Sequence, residues 1–561
     1  MDNTGGADKV LTTGGNNTST SFSGLITDSG ANTLGITKEG SGTLTLSGTN
    51  TFSGIMEINA GTIVAANPSA LGYHTVIHNN AILTIGTTLL DVGAYQQNTG
   101  ATLNLTANSA TDYGRIITGL INTSFVADST VNVTVGGRIP NNTVLTIATG
   151  DTGLPDHINS SSPFVSFLAS YLGGSFVLTA TSSSTTFASV ATNPNATAVG
   201  NVLDNITNPS SDMTTVLDAL FASTSDQVAA SLNTMSPIED NSIFQSAISM
   251  MNQVIDTMTI HFDNTRAFGS DSGISTGDDY FKRLGVWAQG IGDYAHQDAR
   301  GYSNGYNATS WGVSGGVDIP FCNDSIRMGI GSGYGQTFVR SKDNSGKTDI
   351  DSIPGTVYCT YDNDRYPFYL DTAFTFMYNT YNGSRQVSAG TTIQRTANSD
   401  YGGQQYSGYF EGGYSLFYKK IRFTPLASVN YMHLHTDSYT ETGADSLNLS
   451  VKPQDYDMCL TGIGAKIAYP LILKSLNILP DFHAKWLYDW VGDKQAIASS
   501  FAGGGTAFGT NSFTPARSGY DLGTRVAIAT KNNISLDLGY DLLLKSDYYE
   551  HYGSVTLKYS F

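Results

Sequence analysis

The chain ends on the segment Gly553-Ser-Val-Thr-Leu-Lys-Tyr-Ser-Phe561, in which apolar and polar side chains alternate. Successive residues of a strand point to opposite faces, so one face of this segment suits lipid and the other suits water. A half-buried strand of a soluble β-sandwich has the same alternation, and the choice depends on the rest of the chain. The side chains expected to face lipid are Val555, Leu557, Tyr559 and Phe561.

Alternation with a period of two recurs throughout residues 281–561, in segments of about 10 residues separated by Gly, Asn, Asp or Ser. Trp311–Ile319, Ile326–Tyr334 and Ile534–Leu542 are clear examples. Only five of the 31 tyrosines precede residue 281 and all four tryptophans follow it, as expected for aromatic girdles at the two membrane interfaces of a barrel. The alternative is an aromatic-rich soluble β domain.

We therefore expect an all-β protein in which residues 271–561 form a 12-stranded antiparallel transmembrane β-barrel. The segments number about twelve, an even number as single-chain bacterial barrels require. The longer polar stretches are expected to be surface loops, at residues 340–349, 384–401 and 503–518.

Residues 191–270 are predicted to be a junction and helical linker, because apolar residues recur there at three- and four-residue intervals. The longest helix is predicted over residues 236–266, with Ser236 as N-cap, Pro237 at the first helical position and Glu239 at the third. At 1.5 Å per residue it is long enough to span a barrel pore; packing on a soluble core is the alternative. Its apolar stripe comprises Phe244, Ile248, Met251, Ile255, Met258 and Phe262.

Residues 1–190 are rich in Thr, Asn, Gly and Val and carry few charges. Short strands such as Ile82–Ile85, Thr102–Thr106 and Val131–Val135 are each too small to bury a face alone, which predicts stacked rungs of a β-solenoid. A repeat unit is expected near residues 33–64. An ordinary β-sandwich is the alternative.

Composition excludes several classes of protein. The net charge of −18 argues against nucleic-acid binding, which needs a basic surface. Three widely separated cysteines without a CxxC pair make a structural zinc site unexpected. The chain has no apolar run long enough for a transmembrane helix. The first residues also lack the basic and apolar regions of a signal peptide, so we expect that this peptide was trimmed or lost.

No catalytic constellation stands out in residues 1–235. That zone holds His74, His78 and His157, but no GxSxG motif and no convincing Ser-His-Asp arrangement. His74 and His78 flank a predicted strand, so they would not share a helix face as a metal site at this spacing requires. We expect no catalytic residues, no metal site and no cofactor.

The order of zones resembles the type V autotransporters of Gram-negative outer membranes. The segment Ile36-Thr-Lys-Glu-Gly-Ser-Gly-Thr-Leu-Thr-Leu-Ser-Gly-Thr-Asn-Thr-Phe-Ser-Gly54, followed by Ile58–Ile63, resembles the autotransporter-associated β-strand repeat. Phe187–Asn195 and Val228–Pro237 are similar to the junction between passenger and translocator in that family. The terminal aromatic resembles the signal that the barrel-assembly machinery reads.

The resemblance implies an outer-membrane translocator that displays its own N-terminal passenger at the cell surface and keeps the helix in its pore. Its implied partners are outer-membrane lipid, the barrel-assembly machinery and host-surface or neighbouring-cell ligands, and the translocator would be monomeric. Some members cleave the passenger at an Asn-Asn bond on the helix. This helix offers Asn241-Ser, Asn252-Gln and Asn264-Thr instead, so we expect the passenger to stay attached.

Three functions follow from these expectations. The first is an autotransporter with a non-enzymatic, adhesive or structural passenger. The second is an autotransporter with a hydrolase passenger, and the third is a porin-like channel with an added N-terminal domain. The position of the helix discriminates the third from the others, because a helix inside the pore would block an open channel.

Overall fold

The computed structural model describes the whole chain except residues 120–122, 151–152, 238–241, 269–284, 323–324, 364–365, 474–475, 493, 531–533 and 561. Two compact units make up the chain. The first comprises Met1–Thr192, Val199–Asn233 and Ser388–Gln394, and the second comprises Asn193–Ala198, Thr234–Val387 and Arg395–Phe561. The boundaries drawn from the sequence, at residues 190 and 270, stay predictions.

The first unit is built from short strands. In chain order they are β1 (Lys9–Thr13), β2 (Thr20–Phe22), β3 (Leu34–Lys38), β4 (Thr43–Leu46), β5 (Met56–Ile58), β6 (Thr62–Ala65), β7 (Val76–Asn79), β8 (Ile82–Gly86), β9 (Leu89–Val92), β10 (Ala94–Gln97), β11 (Thr102–Ala107), β12 (Arg115–Thr118), β13 (Ser124–Phe125), β14 (Thr130–Val135), β15 (Val144–Thr149), β16 (His157–Ser160), β17 (Val165–Leu172) and β18 (Ser175–Ser182).

These strands stack as a solenoid with three sheets, ordered β1-β3-β5-β7-β10-β13, β2-β4-β6-β8-β11-β14-β16 and β9-β12-β15-β18-β17. The first two sheets are parallel. In the second, Thr43 pairs with Thr62, Thr62 with Ile82, and Ile82 with Thr102, so each of these rungs takes about 20 residues. The antiparallel hairpin of β17 and β18 continues the third sheet. The predicted β-solenoid is confirmed.

An aliphatic ladder forms the solenoid core. Ile63 pairs with Leu83, Leu83 with Leu103, and Leu103 with Val131, and all four side chains are fully buried. Because alternate residues of each strand point inward, the neighbouring Thr and Asn side chains point out. Burying each of these aliphatic side chains contributes about 1.5–3 kcal/mol.

Helices follow the solenoid: α1 (Phe187–Val190), α2 (Pro194–Asp204), α3 (Ser211–Phe221), α4 (Ser225–Met235) and α5 (Ser242–Phe268). Thr186 caps α1, accepting the backbone N–H of Ser189. The carboxylate of Asp204 accepts the N–H groups of Phe187 and Ala188 at 2.9 and 3.0 Å. None of the described helices combines the length and apolar character needed to cross a bilayer.

Long antiparallel strands dominate the second unit. In chain order they and the short strands between them are β19 (Gly285–Gln297), β20 (Tyr306–Phe321), β21 (Ile326–Ser341), β22 (Gly346–Asn363), β23 (Tyr366–Ala389), β24 (Ile393–Tyr414), β25 (Leu416–Tyr418), β26 (Ile421–Thr436), β27 (Tyr439–Thr440), β28 (Leu449–Val451), β29 (Gln454–Ala468), β30 (Leu471–Ile472), β31 (Leu476–Asp489), β32 (Ala496–Phe501), β33 (Phe508–Asn511), β34 (Ser518–Thr530), β35 (Ile534–Lys545) and β36 (Tyr548–Ser560).

Twelve of these strands close into a barrel: β19 to β24, β26, β29, β31, β34, β35 and β36. Closure is made by β19 on β36, where Gln289 pairs with Thr556, and by β24 on β26, where Gly408 pairs with Tyr431. The predicted 12-stranded antiparallel barrel is confirmed. Its two longest connections, residues 437–453 and 490–517, lie at one end and include a small sheet ordered β27-β28-β32-β33.

The predicted loop at residues 384–401 is wrong. Strand β23 continues to Ala389 and β24 begins at Ile393, so most of this stretch is a projecting hairpin. The stretch at 340–349 is likewise mostly paired, with Arg340 opposite Lys347. Backbone hydrogen bonds form these ladders, and because polar side chains lie on both faces, there was no alternation to detect in the sequence.

Candidate functional site: the barrel lumen and its helix

The helix α5 lies inside the barrel and runs along its lumen. Near its start, Phe244 stacks on Tyr456 of β29 at a centroid distance of 6.0 Å. Near its end, Arg266 reaches Asp371 of β23. The helix therefore passes from the end with the long loops to the end with short turns, about 40 Å at 1.5 Å per residue. The predicted Glu239 position lies outside the described residues, and the described helix begins at Ser242.

The apolar stripe of α5 packs on one side of the lumen. All six stripe residues are buried and join one cluster with inward-facing residues of the barrel wall. These wall residues were not predicted from the sequence, although β26 carries a signal for them: Met432 and Leu434 alternate with the exposed Tyr431 and so point to the opposite face. The wall residues of the cluster are Trp287, Tyr358, Ala373, Met377, Tyr409, Met432, Leu434, Tyr456 and Met458.

Charged side chains hold the C-terminal end of α5. Asp263 accepts hydrogen bonds from Arg266 and Lys466, each at 2.7 Å, and from Arg525 at 3.3 Å. Arg266 also donates two bonds to Asp371, at 2.7 and 2.9 Å, and its guanidinium lies 3.9 Å from the ring centroid of Tyr369. A cation in the last turn also suits the helix dipole.

A second charged contact lies one to two turns earlier on α5. Nε2 of His261 lies 2.7 Å from Asp318 of β20, and Arg327 of β21 donates to the same carboxylate. Both His261 and Asp318 are fully buried. Because a buried charge is costly unless it is paired, the helix and the wall depend on each other for the solvation of these groups.

Two residues of the second unit that precede α5, Asn195 and Thr234, are held by hydrogen bonds within that unit. The Asn195 side chain accepts the N–H of Asn511 at 2.9 Å and donates to its carbonyl at 2.8 Å. Arg385 makes a two-pronged pair with Glu441, at 3.1 and 2.6 Å, and donates to the carbonyl of Thr234 at 2.5 Å. These positioning contacts had no signal in the sequence, because their partners are far apart along the chain.

The polar side of α5 borders a cavity of about 100 Å³, which is lined by Asn252, Asp256, Lys485 and Asp541 among others. At about 30 Å³ of liquid volume per water, it holds a few waters. Ligand pockets in proteins usually measure about 300–1,000 Å³. The space beside the helix suits solvation of the lumen charges and is too small for a typical organic ligand.

The closing strand β36 has two distinct faces. Val555, Leu557 and Tyr559 are 51%, 55% and 43% exposed on the outer face, where lipid would lie. Thr556 and Lys558 point into the lumen and are buried. Phe561, the last residue of the predicted barrel-assembly signal, lies outside the described residues. The role of this segment as an assembly signal stays a prediction.

Among the described residues, the three histidines of the solenoid make no hydrogen bond to a hydroxyl group. His78 lies 3.8 Å from Glu57 and His157 lies 3.5 Å from Asp128, both at the surface.

Two protein families match the chain. Residues 286–541 match the autotransporter β-domain family, and residues 36–65 match the passenger-associated transport repeat. The second match covers the repeat unit expected near residues 33–64. The first covers most of the barrel strands, from β19 to β35.

Among characterised proteins, outer membrane protein A of Rickettsia conorii is 25% identical over 327 residues, which are 56% of this chain and 16% of that protein. An extracellular serine protease of Serratia marcescens is 24% identical over 94% of this chain and 56% of its own length. The translocator domain of the autotransporter NalP from Neisseria meningitidis matches 57% of this chain and 97% of its own, with 17% identity and a TM-score of 0.44. The chain spans about a sixth of the Rickettsia relative.

Proposed function

We propose that this chain is an autotransporter of the Gram-negative outer membrane and that it presents its solenoid at the cell surface as an attached, non-enzymatic adhesive or structural protein. The barrel is the membrane anchor and the solenoid is the passenger. The proposed partners are outer-membrane lipid on the barrel wall, the barrel-assembly machinery at the closing strand and ligands on host or neighbouring cells. The translocator is proposed to act as a monomer.

The observation that carries this proposal is the helix in the lumen. The stripe of α5 is buried against the apolar wall residues, and its end is paired with Asp371, Lys466 and Arg525. A porin-like channel needs an open, water-filled lumen. Here the lumen is filled by the segment that joins passenger to barrel. This favours a pore that has already exported its passenger over an open channel.

Attachment of the passenger follows from the residues on α5. The helix has no Asn-Asn bond, and the residue that follows Asn252 is a glutamine. The Asn252 carboxamide accepts a bond from Asn430 of the wall at 3.3 Å. An uncleaved helix held at both ends would keep passenger and anchor in one chain.

The adhesive or structural part of the proposal draws on the solenoid surface. Its outward faces carry ladders of asparagine side chains, such as Asn104, Asn132 and Asn159, linked by hydrogen bonds of 2.9 Å. Stacked Asn ladders are rigid, neutral and rich in donors and acceptors. A surface of this kind suits repeated hydrogen bonding to polar ligands or to other copies on neighbouring cells.

The proposal is tested by expressing the full chain behind an export signal in a Gram-negative host. Boiled whole cells should give one full-length band, without a released N-terminal fragment. Cells carrying the chain should settle faster, or bind host-cell monolayers better, than cells carrying Leu103→Asp, which disrupts the solenoid core while leaving the barrel intact. Equal settling and binding in both strains would contradict an adhesive passenger, and a released fragment would contradict attachment.

A hydrolase passenger is the second candidate, since one relative is described as an extracellular serine protease. Covalent labelling of surface-displayed protein by a fluorophosphonate probe would favour it. A non-enzymatic passenger should be labelled no more than heat-unfolded protein.

A further inference from the structure

Three titratable side chains that take no part in the hydrogen bonds of Asp263 and His261 converge on the inner barrel wall. They are His483 of β31, Asp521 of β34 and Asp541 of β35. Gly523 stands opposite both His483 and Asp541 in the strand register. A Cβ atom at Gly523 would overlap Oδ1 of Asp541 and Cε1 of His483. The missing side chain is therefore what allows the imidazole to lie across β34.

The distances between these groups suit a shared cation. Nε2 of His483 lies 3.1 Å from Oδ1 of Asp541 and 3.4 Å from Oδ2 of Asp521, and one donor atom from each residue lies within 4.8 Å of the others. Nitrogen and oxygen ligands about 2.0–2.1 Å from a tetrahedral Zn²⁺ are about 3.3 Å apart. The two imidazole-to-carboxylate distances fall around this value.

The hydrogen bonding of the cluster is incomplete. Asp541 is 7% exposed, yet among the described residues neither of its carboxylate oxygens accepts a hydrogen bond of acceptable geometry, despite the short contact with His483. Nδ1 of His483 is also buried, with no partner among the residues that the structure describes. A buried carboxylate is costly unless it is hydrogen-bonded, paired or bound to a metal. The Asp541 carboxylate is thus available as a ligand.

We propose that His483, Asp521 and Asp541 bind a divalent transition metal of the Zn²⁺ type in the barrel lumen. One imidazole and two carboxylates are ligands that such metals accept. Asp521 and Asp541 also line the cavity beside Asp256 of α5, so a fourth position is open to water there. The ligands are separated by 38 and 20 positions along the chain, which is why no motif spacing indicated the site.

The competing arrangement is an ion-pair network without metal. Lys485 lies 3.9 Å from Asp521, and Arg525 lies 4.0 Å from Asp541. Both separations exceed hydrogen-bond length, so neither cation replaces a ligand on the carboxylates. A metal would join three neighbouring strands next to α5 and stabilise the wall against which the helix rests.

The test uses the full chain folded in detergent micelles, loaded with Zn²⁺ and then passed through metal-free buffer. Elemental analysis should find one Zn²⁺ per chain, and the Co²⁺-loaded protein should have the visible absorption of four-coordinate cobalt. His483→Ala and Asp541→Asn should each lose the metal at least tenfold. Heat-modifiable migration on gels checks that each variant is folded.

The matched control is His433→Ala. His433 also lies near two aspartates, Asp457 at 2.9 Å and Asp455 at 3.7 Å, but it is on the outer wall of the barrel, so the variant should keep its Zn²⁺. The proposal would be overturned if all variants bound the metal equally, if His433→Ala lost it, or if the wild-type chain bound none. The cobalt spectrum of the wild-type chain distinguishes bound from absent metal even where a variant does not fold.

Discussion

The solenoid and the barrel lumen differ in the kinds of side chain that fill their interiors. The solenoid stacks uncharged aliphatic side chains, rung upon rung, and in the described part of residues 1–192 its buried charged side chain is Lys38, which donates to three backbone carbonyls. The lumen instead buries Asp, Glu, Lys, Arg and His together around one helix. The solenoid interior resembles the core of a soluble protein. The barrel interior is a pore with a largely polar wall, and helix α5 occupies it.

This difference follows from what each surface faces. A barrel in lipid turns its apolar side chains outward, so its inner wall is polar by default and a filling helix must match that wall with charges. A passenger outside the cell has water on its outer faces and can bury apolar side chains within. Replacing a lumen side chain by a smaller or neutral one should therefore lower stability mainly through lost charge pairing. The same kind of replacement in the solenoid should lower stability mainly through lost packing.

The largest effect is expected from Asp263→Asn. This change leaves Lys466 and Arg525 facing each other without their shared carboxylate, and breaking a buried pair costs about 3–5 kcal/mol. The temperature at which the folded barrel loses its fast migration on gels should fall clearly.

The exposed ion pair of Arg340 and Asp349, at 2.6 Å, supplies the control. Exposed pairs contribute about 0–1 kcal/mol, so Asp349→Asn should leave the transition within a few degrees of wild type. Similar shifts in both variants would remove the distinction between lumen and surface charges.

The second effect in size is expected from Leu103→Ala in the solenoid. Leu103 is fully buried between Leu83 and Val131, and truncation of a core leucine costs about 2–5 kcal/mol. Pulse proteolysis of the full chain in urea should report a lower free energy of unfolding for the passenger, whereas Leu168→Ala, at a strand position that is 63% exposed, should change it little. Greater damage to the barrel than to the solenoid would contradict the importance of packing in the passenger.

The smallest effect is expected on the acid stability of the passenger, through the carboxyl group of Asp28. Burial alone would raise the pKa of this carboxyl, but bonds from the N–H of Ser53, the N–H of Leu34 and the Ser53 hydroxyl hold the pKa below its usual value of 3.8. The unfolded state then binds the proton more readily, so this stabilisation is present above pH 3.8 and is lost as the pH falls through the folded-state value.

Asp28→Asn should therefore flatten part of the acid dependence of passenger unfolding. The measurement compares the urea midpoint of wild type and variant at neutral pH and near pH 3. A parallel decline in both proteins would show that Asp28 contributes nothing to the dependence.

The sequence predicted the architecture because periodicity depends on local residues. Alternation in β20, β21 and β35 indicated the barrel, and the spacing from Phe244 to Phe262 indicated a helix with one apolar face. The repeat near residues 33–64 indicated the solenoid. Each of these patterns repeats within one element, so no knowledge of distant contacts was needed.

The contacts that fix the site could not be predicted in the same way. The pairs Asp263 with Arg525, Arg385 with Glu441, and His483 with Asp541 join residues on different elements. Their approach depends on strand register and on which face of α5 meets which wall. A polar residue facing the lumen has the same sequence pattern whether it is paired, solvated or a ligand.

Surface display is tested most directly by the topology of the chain in intact cells. In a chain with Cys359→Ser and Cys459→Ser, Leu168→Cys on the solenoid should react with an impermeant maleimide on whole cells. In a second chain that has the same two serines but keeps Leu168, the exposed Cys322, at the barrel end with short turns where bacterial barrels face the periplasm, should react only after the outer membrane is permeabilised. Labelling of Cys322 on intact cells, or of position 168 only after permeabilisation, would contradict an outer-membrane barrel that displays its own solenoid.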